Sequence, residues 1–202
     1  MKRRLFMVIF TGVLLLGMAG MAGAVSFTIG PNGPSGNHWD LGSGWGTGPG
    51  QVNAIFTVDS SLPGKSFDLS GVDQYTSFLF GTISLIGASI PASPGNLSVT
   101  GNLDFISPAN TLAGVPGTTV AIPGTVSDND TDLTISFGSA NEFFWGNGQY
   151  RVDLYPDAYF NVIDTKNVYA AVTLVDVPEP TTMLLLGLGL VGIAGMRRRM
   201  TC

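Results

Sequence analysis

The sequence predicts an all-β fold, an antiparallel β-sandwich or jelly roll, carried between two short apolar ends. Three observations predict it. Apolar residues recur with a period of two in several short stretches, proline–glycine pairs punctuate those stretches, and nothing between residues 25 and 176 sustains the apolar spacing of a helix. Successive side chains point to opposite faces of a strand, so a period of two sets one face on a core and the other in water.

The chain opens with Lys2, Arg3 and Arg4, an apolar run over residues 5–18, and the small-residue group Ala22-Gly23-Ala24. This is the make-up of a secretory signal peptide, residues 1–24, with signal peptidase cutting after Ala24. Residues 30–50 then hold eight glycines and three prolines and read as a loop carrying Trp39 and Trp45. Val52, Ala54, Phe56 and Val58 begin the alternation. It is clearest over residues 96–105, where Leu97, Val99, Leu103 and Phe105 alternate with Asn96, Ser98, Thr100, Asn102 and Asp104. Leu133, Ile135 and Phe137 repeat the pattern, as do Tyr150, Val152 and Leu154. Residues 75–87 and 168–177 are more uniformly apolar, the composition of central strands covered on both sides. Pro63-Gly64, Pro94-Gly95, Pro116-Gly117 and Pro123-Gly124 read as turns. No fixed-period repeat is present, which argues against a solenoid or propeller.

Between the two ends the only cations are Lys65, Arg151 and Lys166, against thirteen carboxylates, for a net charge of −10. Nucleic acid and anionic lipid are therefore excluded as expected partners, because their phosphates would meet a like-charged surface. The sole cysteine is Cys202, so the domain must stand on its hydrophobic core without disulfides.

The C-terminal end, residues 177–202, starts with Val177-Pro178-Glu179-Pro180, continues as an apolar stretch over residues 181–196, and closes on Arg197, Arg198 and Arg199 before three final residues. As a helix the stretch spans about 24 Å at 1.5 Å per residue, short of the roughly 30 Å hydrocarbon core it would cross. The prolines hold the acidic word extended and remove two backbone donors, leaving a peptide that a protease can grip. Gly189, Gly192 and Gly195 recur every three residues, a face on which another membrane helix could approach, or simply glycines that the site tolerates. Both apolar ends carry their basic cluster on the outer flank, so both flanks are expected in the cytoplasm and the domain is expected to cross the membrane as a loop.

Word, short apolar segment, arginine cluster and position together resemble the PEP-CTERM sorting signal. The resemblance is confined to residues 177–200. It implies an exosortase-like membrane protease as partner, cutting near Pro178-Glu179-Pro180, transient residence in the inner membrane with the domain on the periplasmic side, and release to the cell surface or an extracellular polysaccharide matrix. A plain stop-transfer anchor with a rigid proline spacer is the alternative.

Within residues 25–176 the candidate chemistry is sparse. Asp128, Asp130 and Asp132 stand at alternate positions, the opening spacing of an oxygen-ligand calcium loop, although Leu133 replaces the usual glycine and Ser139 the closing glutamate; an aspartate-rich turn gives the same pattern. Trp39, Trp45 and Trp145, with Tyr150, Tyr155 and Tyr159, offer either sugar-stacking surface or packing. His38 is the only histidine, no G-x-S-x-G elbow accompanies it, and Glu142 is the only glutamate of the domain. The expectation is an exported non-enzymatic envelope or matrix protein without a cofactor. A carbohydrate-binding or calcium-dependent adhesive module is the first alternative, a secreted hydrolase the second.

Overall fold

The computed structural model describes residues 24–126, 131–138, 141–146 and 148–177. The signal peptide and the apolar C-terminal segment lie outside these residues. Among the described residues no helix is long and apolar enough to cross a membrane. Residues Val25–Val177 form one compact unit built of strands alone.

The strands are β1 (Val25–Ile29), β2 (His38–Leu41), β3 (Ala54–Val58), β4 (Ser66–Leu69), β5 (Tyr75–Leu85), β6 (Ser89–Ile90) and β7 (Val99–Ser107). They continue with β8 (Thr111–Ala121), β9 (Gly124–Thr125), β10 (Leu133–Phe137), β11 (Asn141–Trp145), β12 (Gly148–Tyr155), β13 (Ala158–Phe160) and β14 (Asp164–Asp176). One curled sheet runs β13-β10-β8-β7-β1-β4, with β2 also on β7; a second runs β11-β12-β14-β5-β3; β6 and β9 form a small ribbon. Every strand pair is antiparallel.

Alternation decides which face each strand buries. In β7, Val99, Leu103 and Phe105 point inward and are buried, while Thr100 and Asp104 point out. In β12, Tyr150, Val152 and Leu154 do the same against Arg151 and Asp153. The two inner faces meet in an aromatic centre. Tyr150 of the second sheet sits edge-on to Phe27 and Phe105 of the first, at centroid distances of 5.4 and 5.1 Å. Burial of one such side chain contributes about 1.5–3 kcal/mol, and offset or edge-to-face ring pairs add about 0.5–1.5 kcal/mol each.

Three expectations are corrected. First, the glycine-rich stretch contains β2, paired with β7 from His38↔Asn102 to Leu41↔Val99. The rest is stitched to the lead-in of β7 by Gly42 N–H to Ser98 O and Gly44 N–H to Asn96 O. Glycine is needed at Gly44, where a Cβ would lie 2.8 Å from the backbone of Gly95 and from Leu97. Second, Pro116-Gly117 lies inside β8 and makes no turn. The O of Pro116 accepts from Gly138 N–H just beyond the end of β10, so the missing donor falls where that ladder has already ended. Third, β5 and β14 are covered on one face only: Tyr75 is 66% exposed and Tyr169 36%. Pro63-Gly64 does turn the chain, with Gly64 at φ +76, a conformation that glycine adopts without strain.

Candidate functional site

The place where the domain ends is the best-defined site. β14 is the middle strand of its five-stranded sheet. Its backbone is held on one side by β12, up to the pair Gln149↔Asp176, and on the other by β5 and the turn before it, where Leu174 N–H donates to Gln74 O and Leu174 O accepts from Asp73 N–H. Asp73 turns there at φ +65, a left-handed conformation that aspartate tolerates better than most residues. The Asp176 carboxylate then accepts from Val177 N–H at 2.8 Å, and Val177 packs half-buried against the core. Among the described residues strand pairing ends at Asp176, two positions before Pro178 opens the Pro178-Glu179-Pro180 word.

A second polar cluster lies on the outer face of the first sheet. His38 Nδ1 donates to Gly36 O at 2.7 Å, which leaves Nε2 facing Asn102 Nδ2 and Asp40 Oδ1, each at 3.3 Å. Asn102 Nδ2 also donates to Asp40 Oδ2 at 2.9 Å. The buried Asn37 amide donates to Gly30 O, and its oxygen accepts from Asp104 N–H. Burial raises the Asp104 carboxyl pKa. These contacts rivet the glycine-rich loop to β7. The described partners of His38 are Gly36, Asn102 and Asp40. Glu142 stands exposed on the other sheet, accepting from Gln149 Nε2.

The tryptophans pack inward and do not form the flat platform considered for sugar stacking. Trp45 is 6% exposed, its ring edge-on to Phe56 and its Nε1 donating to Ser98 O. Trp39 bridges the two sheets, with its ring 4.8 Å from Phe80 and 5.6 Å from Phe56. Trp145 lies against Phe27 and Tyr150 and over Gly148, where any Cβ would meet the indole. The physical reason is common to all three: they stand at the open ends and edges of the two-sheet core, where large rings close gaps that aliphatic side chains leave.

Of the alternating carboxylates, Asp128 and Asp130 lie outside the described residues. Asp132 is buried, and its backbone bridges β13 and the end of β8 through Phe160 O and Ile122 N–H. Ala24 is exposed directly before β1, and Ala22 lies outside the described residues, as do Pro178, Glu179, Pro180, Arg197, Arg198 and Arg199.

Residues 176–199 match the PEP-CTERM protein-sorting motif. The chain thus carries a PEP-CTERM signal confined to its C-terminal segment, the mark of an exported protein that transits the membrane and is processed through an exosortase system. No curated protein and no solved structure matches the chain. The motif begins on the last residue of β14, so the sorted domain and its PEP-CTERM signal share one junction without a spacer.

Sequence reasoning named Tyr155 among the candidate aromatics but missed its neighbour Tyr169. Tyr155 and Tyr169 lie side by side on the outer face of the second sheet, with ring centroids 6.2 Å apart and planes 29° apart. The parity of Val168, Ala170, Val172 and Leu174 was the available signal: once these face inward, Tyr169 faces out.

Proposed function

We propose that residues 25–177 are a non-enzymatic β-sandwich, held transiently in the inner membrane with the domain on the periplasmic side and released by an exosortase-like protease to the cell surface or extracellular polysaccharide. The observation that carries this reading is the junction: the sorting motif starts on the final residue of a complete central strand, so cutting near residues 178–180 removes the signal and leaves every strand in place. Cys202, the only thiol, serves as a reporter. In cells making the protease, the surface form carries no thiol label. In cells lacking it, the label stays with a membrane-bound form. A labelled chain at the surface of normal cells contradicts the proposal.

A second reading, carbohydrate binding, is favoured by the Tyr155–Tyr169 pair. Exposed neighbouring rings on the sheet face that also carries the hydroxyls of Ser77, Thr82, Ser84 and Thr165 suit the alternating apolar and polar faces of a pyranose. On a glycan array, replacing both tyrosines by alanine abolishes any signal that the Trp39→Phe variant keeps. Equal signals from both variants contradict this placement of the sugar.

A further inference from the structure

The second sheet's exit end presents apolar side chains that the core does not use. Tyr75 is 66% exposed, Phe144 68%, Val72 53% and, on the facing sheet, Ile106 56%. They gather at one pole. Phe144 pairs with Gln149, which pairs with Asp176 at the end of β14; Tyr75 pairs with Thr173; Val72 adjoins Asp73, whose N–H binds Leu174 O. Ile106 adjoins Ser107, whose hydroxyl donates to Ser26 O near the start of β1.

The other end of the domain leaves from the same pole. Val25 pairs with Leu69, the last residue of β4, and residues 70–74 connect that strand to the Asp73–Leu174 contact. Both neighbouring apolar stretches of the sequence therefore attach here.

We infer that this pole is a membrane-docking rim, seating Val72, Tyr75, Ile106 and Phe144 in the interface of a zwitterionic bilayer while the precursor is tethered. The inference rests on the proposed membrane hold of residues 181–196. From Val177 to Thr181 is four residue steps, at most about 14 Å when fully extended. The polar layer on each side of the hydrocarbon is about 5–8 Å thick. Even fully extended, the tether lifts Val177 no more than about 6–9 Å above that layer, so the pole stays next to the bilayer surface, and the side chains suited to enter that surface are the exposed apolar ones. Tyrosine suits this depth because its ring is apolar and its hydroxyl stays wet. Charge selects the lipid: among the described residues of the pole Asp68, Asp73, Glu142 and Asp176 are exposed against Arg151, so anionic headgroups are repelled and neutral ones are not. The consequence is a fixed orientation that holds the Pro178-Glu179-Pro180 word at the membrane face, within reach of an enzyme embedded there.

Trp145, beside Phe144, is a built-in probe, because bromine on lipid chains quenches a tryptophan that approaches them. The full-length chain is reconstituted into phosphatidylcholine vesicles with plain or brominated acyl chains, recovered by flotation, and read by emission, with the Trp145→Phe variant isolating the Trp145 signal. The rim predicts loss of Trp145 emission on brominated lipid in the wild type and in a Val162→Ser/Ile163→Ser variant at the opposite end. It predicts recovery of that emission in Tyr75→Ser/Phe144→Ser, with thermal melting showing that each variant is folded. Equal Trp145 emission on both lipids in a chain that floats overturns the rim, as does quenching of Tyr75→Ser/Phe144→Ser to the wild-type level. A chain that does not float overturns the membrane hold and the rim with it.

Discussion

Replacing Pro178, Glu179 and Pro180 together by alanine leaves the full precursor in the membrane, with no shorter form released. The effect is close to all-or-none because the three residues are the first stretch of chain beyond β14, which is paired up to Asp176 and followed by Val177 packed on the core. Prolines fix the backbone at φ near −65° and deny it two donors, so alanines there allow the membrane segment to begin earlier as helix and draw the scissile peptide out of reach. Pulse-labelling followed by gel mobility reads the result. Since the substituted residues lie beyond β14, the domain keeps its stability, and a melting curve equal to the wild type's separates failed processing from failed folding. Normal release of the alanine variant contradicts a sorting role for the word.

The largest loss of stability is expected at Tyr150. Its ring is fully buried and touches Phe27, Phe105, Phe143 and Trp145, joining β12 to the first sheet. Tyr150→Ala removes that hub and costs about 3–5 kcal/mol, the range for large aromatic truncations. Each kcal/mol is worth about 2–4 °C in Tm for a domain of this size. The hydroxyl adds a pH dependence of its own. Burial pushes the Tyr150 phenol up to about 12 from 10.0, partly offset by the side chain of Thr111. The folded state keeps its proton where the unfolded state has lost it. The contribution is therefore whole below pH 10 and disappears as pH rises toward 12. Tyr150→Phe keeps the rings in contact and loses less stability than the wild type between those pH values, as denaturant midpoints measured across that window will show. An alanine variant as stable as the wild type contradicts the central place given to Tyr150.

Much of this fold is legible in the sequence because one face is dry and the other wet. Val99, Leu103 and Phe105, or Tyr150, Val152 and Leu154, show the inward face of β7 and β12 directly, since a slip of one residue would turn each set into water. The parts that are not legible are held by contacts distant in sequence. β2 hides among glycines because its support comes from residues 99–102 of β7 and not from its own alternation. Pro116 imitates a turn because local chemistry cannot reveal that the adjoining ladder stops at Phe137. The outward face of β14 is hidden in the sequence because Ala170 and Ala171 are consecutive apolar residues, which blurs the alternation that exposes Tyr169.

The site divides along the same line. The sorting word, the short apolar segment and the arginines are written consecutively and need no fold to be recognised. The pole that faces the tether is different, since Val25, Leu69, Val72, Tyr75, Ile106, Phe144 and Asp176 meet only once both sheets are assembled. The tryptophans drew notice as candidate binding residues by residue type alone, and the structure spends them on closing the core.

The claim on which everything else depends is that both ends of this chain are removed around a finished domain. Intact-mass spectrometry of the protein recovered outside the cell tests it most directly. A species beginning at Val25 and ending close to residues 178–180 is the predicted result. A species that still carries Arg197 to Cys202 contradicts it.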